Sequence, residues 1–399
     1  MNGIEETAAH SDEQVLAAAG LSLDMLGLAE GGADWLPPAW LTTIFKALQV
    51  LVGLAGFGLL LLSGIVMHSL WFIPFWCAAV LFTFVAHEAG HAAGALLVGG
   101  RVVQVQVGRV NIQLMRRGLR MRWKRGPREF AGFVQSMFAP DRPVARQAVI
   151  VIAGGPLANL LVAAVAFAGA SALRHHETGA LLLGLCVFNL AIAIVNLIPT
   201  PSGAFGSDGL QLWRWFRGID DDEPPMVMAR LNSLLMWGST IEDLPERDIQ
   251  ALQRYAQPGP FMHAWLRLKQ FHHRGEWEQA AAMREEIEAQ VGAMQPAVYQ
   301  AMLGFISLAW CELRFAAAMA GHVVEGPLDG ELDRDVAWAL PCVKLRLQAL
   351  TFAMQGDAVS ARRCMGESEA WARRSLDRSL ERSEDLIRPM VMARIDALA

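Results

Sequence analysis

The segment Ala86-His87-Glu88-Ala89-Gly90-His91-Ala92 holds the side chains best suited to chemistry in this chain. On a helix, residues four apart share a face, so His87 and His91 offer imidazole nitrogens to one ion. Zinc takes nitrogen ligands tetrahedrally and keeps an open position for water where it is catalytic. Glu88, beside the two histidines, is placed to take a proton from that water. The surroundings support this reading. The segment lies in a strongly apolar stretch, and ionisable groups inside a membrane-spanning helix are costly enough to mark function.

Positioning these groups requires membrane helices. Of the 399 residues, 54 % are hydrophobic and 18 % charged, a balance that fits an integral membrane protein with a soluble part. Ala47 to Ala86 contains no Asp, Glu, Lys or Arg. It is long enough for two spans, expected near 43–67 and 70–97 with a break at His68-Ser69. Gln147 to Leu173 and Thr178 to Ser207 are two further uncharged runs, and the second should stop near Pro199 and Pro201. The expected fold is therefore an α-helical integral membrane protein with about four transmembrane helices. A net charge of -5 gives no reason to expect nucleic acid. The five scattered cysteines suggest neither a disulfide framework nor a zinc knuckle. The acidic N-terminal region lacks the basic start of a signal peptide.

Residues 101–146 differ from the rest, with eleven Lys or Arg against Glu129 and Asp141. A basic loop between spans belongs in the cytoplasm, which puts both termini there too. Topology setting and contact with lipid headgroups account for the arginines. Val103, Val105 and Val107 alternate with Gln104 and Gln106. Leu119, Met121 and Trp123 alternate with Arg120, Arg122 and Lys124. Period two predicts strands, and so a small β-sheet or hairpin at the membrane surface. With this topology the HEAGH segment and Asp208 approach the same side of the membrane, as a shared metal requires. His175 and His176 fall on the other side and are rejected as ligands.

Three parts are expected: an acidic flexible leader over 1–40, the membrane part over 41–218, and a soluble helical part over 219–399. Gly275-Glu276-Trp277 and Gly356-Asp357-Ala358 each resemble the turn of a tetratricopeptide-like helix pair. The third part is expected to be a docking or regulatory surface for a protein partner.

Three stretches together resemble the site-2 protease family of intramembrane zinc metalloproteases. They are His87-Glu88-Ala89-Gly90-His91, then Gly155-Pro156-Leu157-Ala158-Asn159, then Asn196-Leu197-Ile198-Pro199 followed by Asp208-Gly209. The resemblance implies Zn2+ held by His87, His91 and Asp208, with Glu88 as general base. It implies that Asn159 and Asn196 line the site and hold substrate backbone. It also implies hydrolysis of peptide bonds in or near transmembrane segments of membrane-tethered proteins within the lipid bilayer. Two departures stand out: Asn196 and Asp208 are twelve positions apart, longer than in the family, and Ser207 stands where the family has Leu. The glycine-rich stretch 202–206 should absorb the extra length, and Asp220, Asp221 and Asp222 are competing acids. The short loops suggest a bacterial inner membrane. A non-catalytic membrane scaffold that recruits partners through 219–399 is the alternative; an intact Glu88 argues against it.

Overall fold

A computed structural model describes residues 37–65, 72–123, 132–200, 207–216 and 222–398. The acidic leader, the His68-Ser69 break, Lys124 to Ala131 and the stretch 201–206 lie outside the described residues. Helices α1 (Ala39–Ile65) and α2 (Phe72–Leu97) come first. Strands β1 (Arg101–Val107), β2 (Val110–Leu114), β3 (Leu119–Trp123) and β4 (Gly132–Met137) follow. Then come α3 (Val144–Ala172), α4 (Glu177–Leu197) and α5 (Asp208–Phe216). The remainder is helical: α6 (Pro224–Trp237), α7 (Glu246–Leu252), α8 (Gly259–Arg274), α9 (Trp277–Ala282) and α10 (Arg284–Gly292), then α11 (Pro296–Ala320), α12 (Arg334–Ala339), α13 (Pro341–Met354), α14 (Ala358–Arg374) and α15 (Arg378–Leu398).

Among the described residues, five helices are long and apolar enough to cross a membrane, one more than the four expected. Four of them, α1 to α4, present exposed apolar residues such as Leu51, Leu54, Leu161 and Val165. They make the chain a multi-pass membrane protein. The fifth, within α11, is 72 % buried over its apolar window, against 6–39 % for the others. It is apolar all round because it serves two cores. Met302, Ile306 and Leu313 pack with residues of α6 to α10, while Leu308, Phe315 and Met319 pack with residues of α12 to α15.

Small residues let the membrane helices approach closely. A Cβ on Gly90 of α2 would lie 2.2 Å from the Gly154 carbonyl oxygen of α3. A Cβ on Gly154 would lie 2.3 Å from the Gly90 oxygen. One turn on, a Cβ on Gly94 would lie 2.9 Å from the Ile150 oxygen. The two backbones therefore cross in contact one residue from His91.

The basic loop folds as one antiparallel sheet in the order β3-β2-β1-β4. Its faces are the reverse of those of a soluble sheet. Gln104, Gln106 and Asn111 are buried, whereas Leu119, Met121 and Trp123 are exposed. Val105 and Val134 pack on the core that joins α2 and α3. The polar face meets the C-terminal helices, and this corrects the expectation for the arginines. Arg120 lies between the rings of Trp338 (4.8 Å) and Trp371 (4.4 Å). Arg122 pairs with Asp335 at 2.6 Å, Arg116 pairs with Glu381 at 2.7 Å, and Arg101 stacks on Trp237.

Gly275 and Gly356, marked by the sequence as turns, each follow a helix at positive φ. His273 joins α8 to neighbouring segments, with Glu242 at one ring nitrogen (2.9 Å) and Ser383 at the other (2.7 Å). The deepest tie is ionic. Fully buried Arg346 donates to Glu312 (2.7 Å) and Glu384 (3.0 Å), and Lys269 donates to Glu312 (3.0 Å). Removing one partner strands a buried charge. Arg346→Leu is therefore expected to cost about 3–5 kcal/mol, read as a lower denaturant midpoint for the purified chain; an unchanged midpoint would rule the network out as a tie.

Candidate metal centre

His87 and His91 stand one turn apart on α2, and their Nε2 atoms are 3.2 Å apart. The Asp208 carboxylate reaches both, with Oδ2 3.1 Å from His87 Nε2 and Oδ1 3.5 Å from His91 Nε2. The ligand atoms of all three residues lie within 4.8 Å of one another. Among the described residues this is the group able to hold a metal ion.

The hydrogen bonds around the rings fix which nitrogen is bare. His87 Nδ1 is 2.6 Å from Asn159 Oδ1. Asn159 is turned that way because its Nδ2 donates to the Thr83 carbonyl (3.2 Å) and to Asn189 Oδ1 (2.9 Å). Asn189 in turn donates to Thr83 Oγ1 (3.0 Å). His91 Nδ1 is 2.8 Å from the Val151 carbonyl oxygen. Both Nδ1 atoms therefore donate, and in neutral rings both Nε2 atoms present lone pairs. Two lone pairs and a carboxylate converge on one space, and buried Asp208 Oδ2 has no hydrogen-bond donor. A metal cation satisfies such a set. Two imidazoles and a carboxylate are donors that zinc accepts, and the bonded outer nitrogens are the usual support of ligating histidines.

The sequence explains each placement. Pro156 inside α3 removes one N–H from the helix ladder. The carbonyl left without its helical donor is that of Ile152, next to the Val151 carbonyl that accepts from His91. A Cβ on Gly155 would lie 2.4 Å from His91 Nε2 and 2.8 Å from His87 Cε1, so only glycine leaves the imidazoles room.

Asp208 opens α5, capped by the residue before it. Ser207 Oγ accepts from the Leu210 amide (3.1 Å), a role leucine cannot fill. Ser207 also closes the long spacer. Its amide donates to the Thr200 carbonyl (3.0 Å), and the Thr200 amide donates to its Oγ (3.0 Å). Thr200 and Ser207 are thus pinned together between α4 and α5. A Cβ on Gly209 would lie 2.0 Å from the Leu197 oxygen, so α5 starts tight against the end of α4.

Glu88 is buried and meets β4. A Cβ on Gly132 would lie 2.4 Å from Glu88 Oε1. Of the two asparagines, Asn159 is fully buried and bonded to His87. The Asn196 amide bonds back to the Ile192 carbonyl of its own helix (3.1 Å). Exposed His175 and His176 lie between α3 and α4. Asp222 is exposed and paired with Arg247, while Asp220 and Asp221 lie outside the described residues. Thr83, Asn189 and Gly132 were not singled out by sequence reasoning, whereas Gly155 was marked by the Gly155-Pro156-Leu157-Ala158-Asn159 stretch.

Residues 75–175 match the family model of Peptidase family M50. The matched segment is similar to the site-2 protease family. The match spans the HEAGH segment and Gly155 to Asn159. No curated protein and no solved structure matches the chain. The family is one of metallopeptidases. With the apolar helices, the match supports a membrane metalloprotease of the site-2 protease kind.

Gly155→Ala should abolish tight metal binding while the chain still inserts and folds, because the added methyl occupies the space between the rings. Metal content by elemental analysis checks this; full metal content in that variant would place the ion elsewhere.

Proposed function

We propose that the chain is a zinc metalloprotease that hydrolyses peptide bonds in or beside apolar transmembrane segments of other membrane proteins. The observation that carries this reading is the convergence of His87, His91 and Asp208, with Glu88 beside them, on helices whose outer surfaces are apolar. In this reading the three converging side chains hold Zn2+. The ion, when bound, supplies Lewis-acid polarisation of the scissile carbonyl and acidifies water.

The remaining steps belong to the protein. Asn159 and the Val151 carbonyl hold the two rings in the tautomer that keeps Nε2 free. Glu88 takes the proton from the attacking water and passes it to the leaving amine. Asn196 stays a proposed substrate contact. A helical substrate shields its own carbonyls, so the segment must unwind, and its freed amides need partners in an apolar setting. Strand addition supplies them. Val105 is in the inner strand β1, paired on both sides with Ile112 and Val134 and so closed to a further strand. Strand β4 is an edge of the sheet and adjoins Glu88 through Gly132, so its outer edge is the better seat. Gly132, Val107, Val110 and Trp123 are cross-strand partners in turn. Apart from Gly132 they are apolar, and they present one apolar face to an added strand's side chains.

On this reading 1–40 is a leader, 41–218 the protease and 219–399 a regulatory or docking part with its own protein partner. The positive-inside rule places both termini in the cytoplasm.

Glu88→Gln is the discriminating variant. It is expected to keep one zinc per chain and to lower cleavage of a membrane-inserted fluorescent single-span peptide by about 10²–10⁴-fold, the usual worth of a general base. A scaffold would be indifferent to the change. Retained cleavage would remove Glu88 from the chemistry. Equal cleavage of the same segment presented in water would exclude membrane-confined substrates.

A further inference from the structure

The sheet stands between two things that its two edges touch. At the β4 edge, Gly132 lies against the Glu88 carboxylate. At the β3 edge, the C-terminal helices grip Arg116, Arg120 and Arg122. The strands between are paired in register, so Arg120, Gln113, Gln104 and Gln135 form one cross-strand row. Arg120 donates to Gln113 (3.2 Å), and Gln113 donates to the Ala339 carbonyl (3.1 Å). A hydrogen-bonded sheet moves as a plate, so a shift at one edge is felt at the other. The chain also has a joint where the plate meets α2, at Gly99, whose φ of 82° suits glycine.

The gripped face is not packed like a permanent core. Gln104 Nε2, Gln106 Oε1, both amide atoms of Asn111, and Arg122 Nε and Nη2 are buried without hydrogen-bond partners. Buried polar atoms left unpaired oppose the docked state, and each regains water when the face opens. Stacked cations and ion pairs offset this, and these too survive exposure to water in part. Such an interface is suited to letting go.

We propose that the C-terminal helices are a releasable latch on the sheet: with Arg120 held between Trp338 and Trp371, β4 is seated over Glu88, and release uncovers it. The latch concerns the same Glu88 that the protease reading makes the base. Its test needs neither metal nor hydrolysis, so the two readings can fail separately.

The readout is the accessibility of position 88. Cys77 is exposed and the other four cysteines are buried. In a Cys77→Ser background, Glu88→Cys provides a reporter thiol, and its labelling by N-ethylmaleimide is followed by mass spectrometry in detergent with EDTA present. Adding Arg120→Gln should speed labelling about tenfold, the scale set by losing two cation–aromatic contacts. Arg120→Lys, which keeps the cation, should stay within about twofold of the parent. Trp338→Ala with Trp371→Ala should match Arg120→Gln. Should those tryptophans be needed for folding, the Arg120 pair decides alone, since that residue lies on a half-exposed edge strand. Labelling at the parent rate in Arg120→Gln overturns the proposal. Equal speeding by Arg120→Lys overturns it as well, because the cation would then not be what holds.

Discussion

Two imidazole lone pairs and a carboxylate facing one another across 3.1–3.5 Å repel. In a poorly polarisable membrane interior that repulsion is weakly screened. The polypeptide nevertheless holds them there by contacts in which small residues leave no slack. Gly90 touches Gly154, Gly155 clears the rings, and Gly209 presses α5 onto the end of α4. Each ring is also tied through Nδ1, one to Asn159 and one to the Val151 carbonyl. The remaining structure follows from the need to keep three electron-rich groups together in a place where a cation relieves them.

Much of this was legible in the sequence because the signals are local. His87 and His91 share a helix face by spacing alone, and the uncharged runs mark α1 to α4 within a few residues. The alternation over 103–107 and 119–123 gave β1 and β3. What escaped depends on pairing across the chain. The polar side of the sheet looks solvent-facing in a single strand; in the fold its Arg120 and Arg122 meet the rings of distant Trp338 and Trp371. Strand β4 has weak alternation, and its importance comes from Gly132 meeting Glu88, forty-four residues away in sequence and brought there by the fold. Thr83 and Asn189 are ordinary polar residues in apolar helices until Asn159 connects them to His87. The spacer before Asp208 looked too long because sequence counts residues, whereas Thr200 and Ser207 close it with two backbone-anchored hydrogen bonds.

The arginine-rich loop shows how one composition serves two roles. Its positive charge fits a segment that stays on the cytoplasmic side. In the folded chain the same residues bind the C-terminal helices. The helices past α5 are thus joined to the sheet through side chains of the sheet itself, and the sheet is joined to the metal-facing helix through Gly99 and Gly132. The C-terminal part and the chemistry share one structural element.

His87 and His91 of α2 and Asp208 at the start of α5 are proposed to hold one metal ion. Zinc per chain in purified wild type, His91→Ala and Asp208→Ala measures it directly. About one zinc is expected in wild type, as a single three-ligand site requires, with a sharp loss in both variants. Full zinc retention in Asp208→Ala, with loss in His91→Ala, would contradict it and send the third ligand elsewhere.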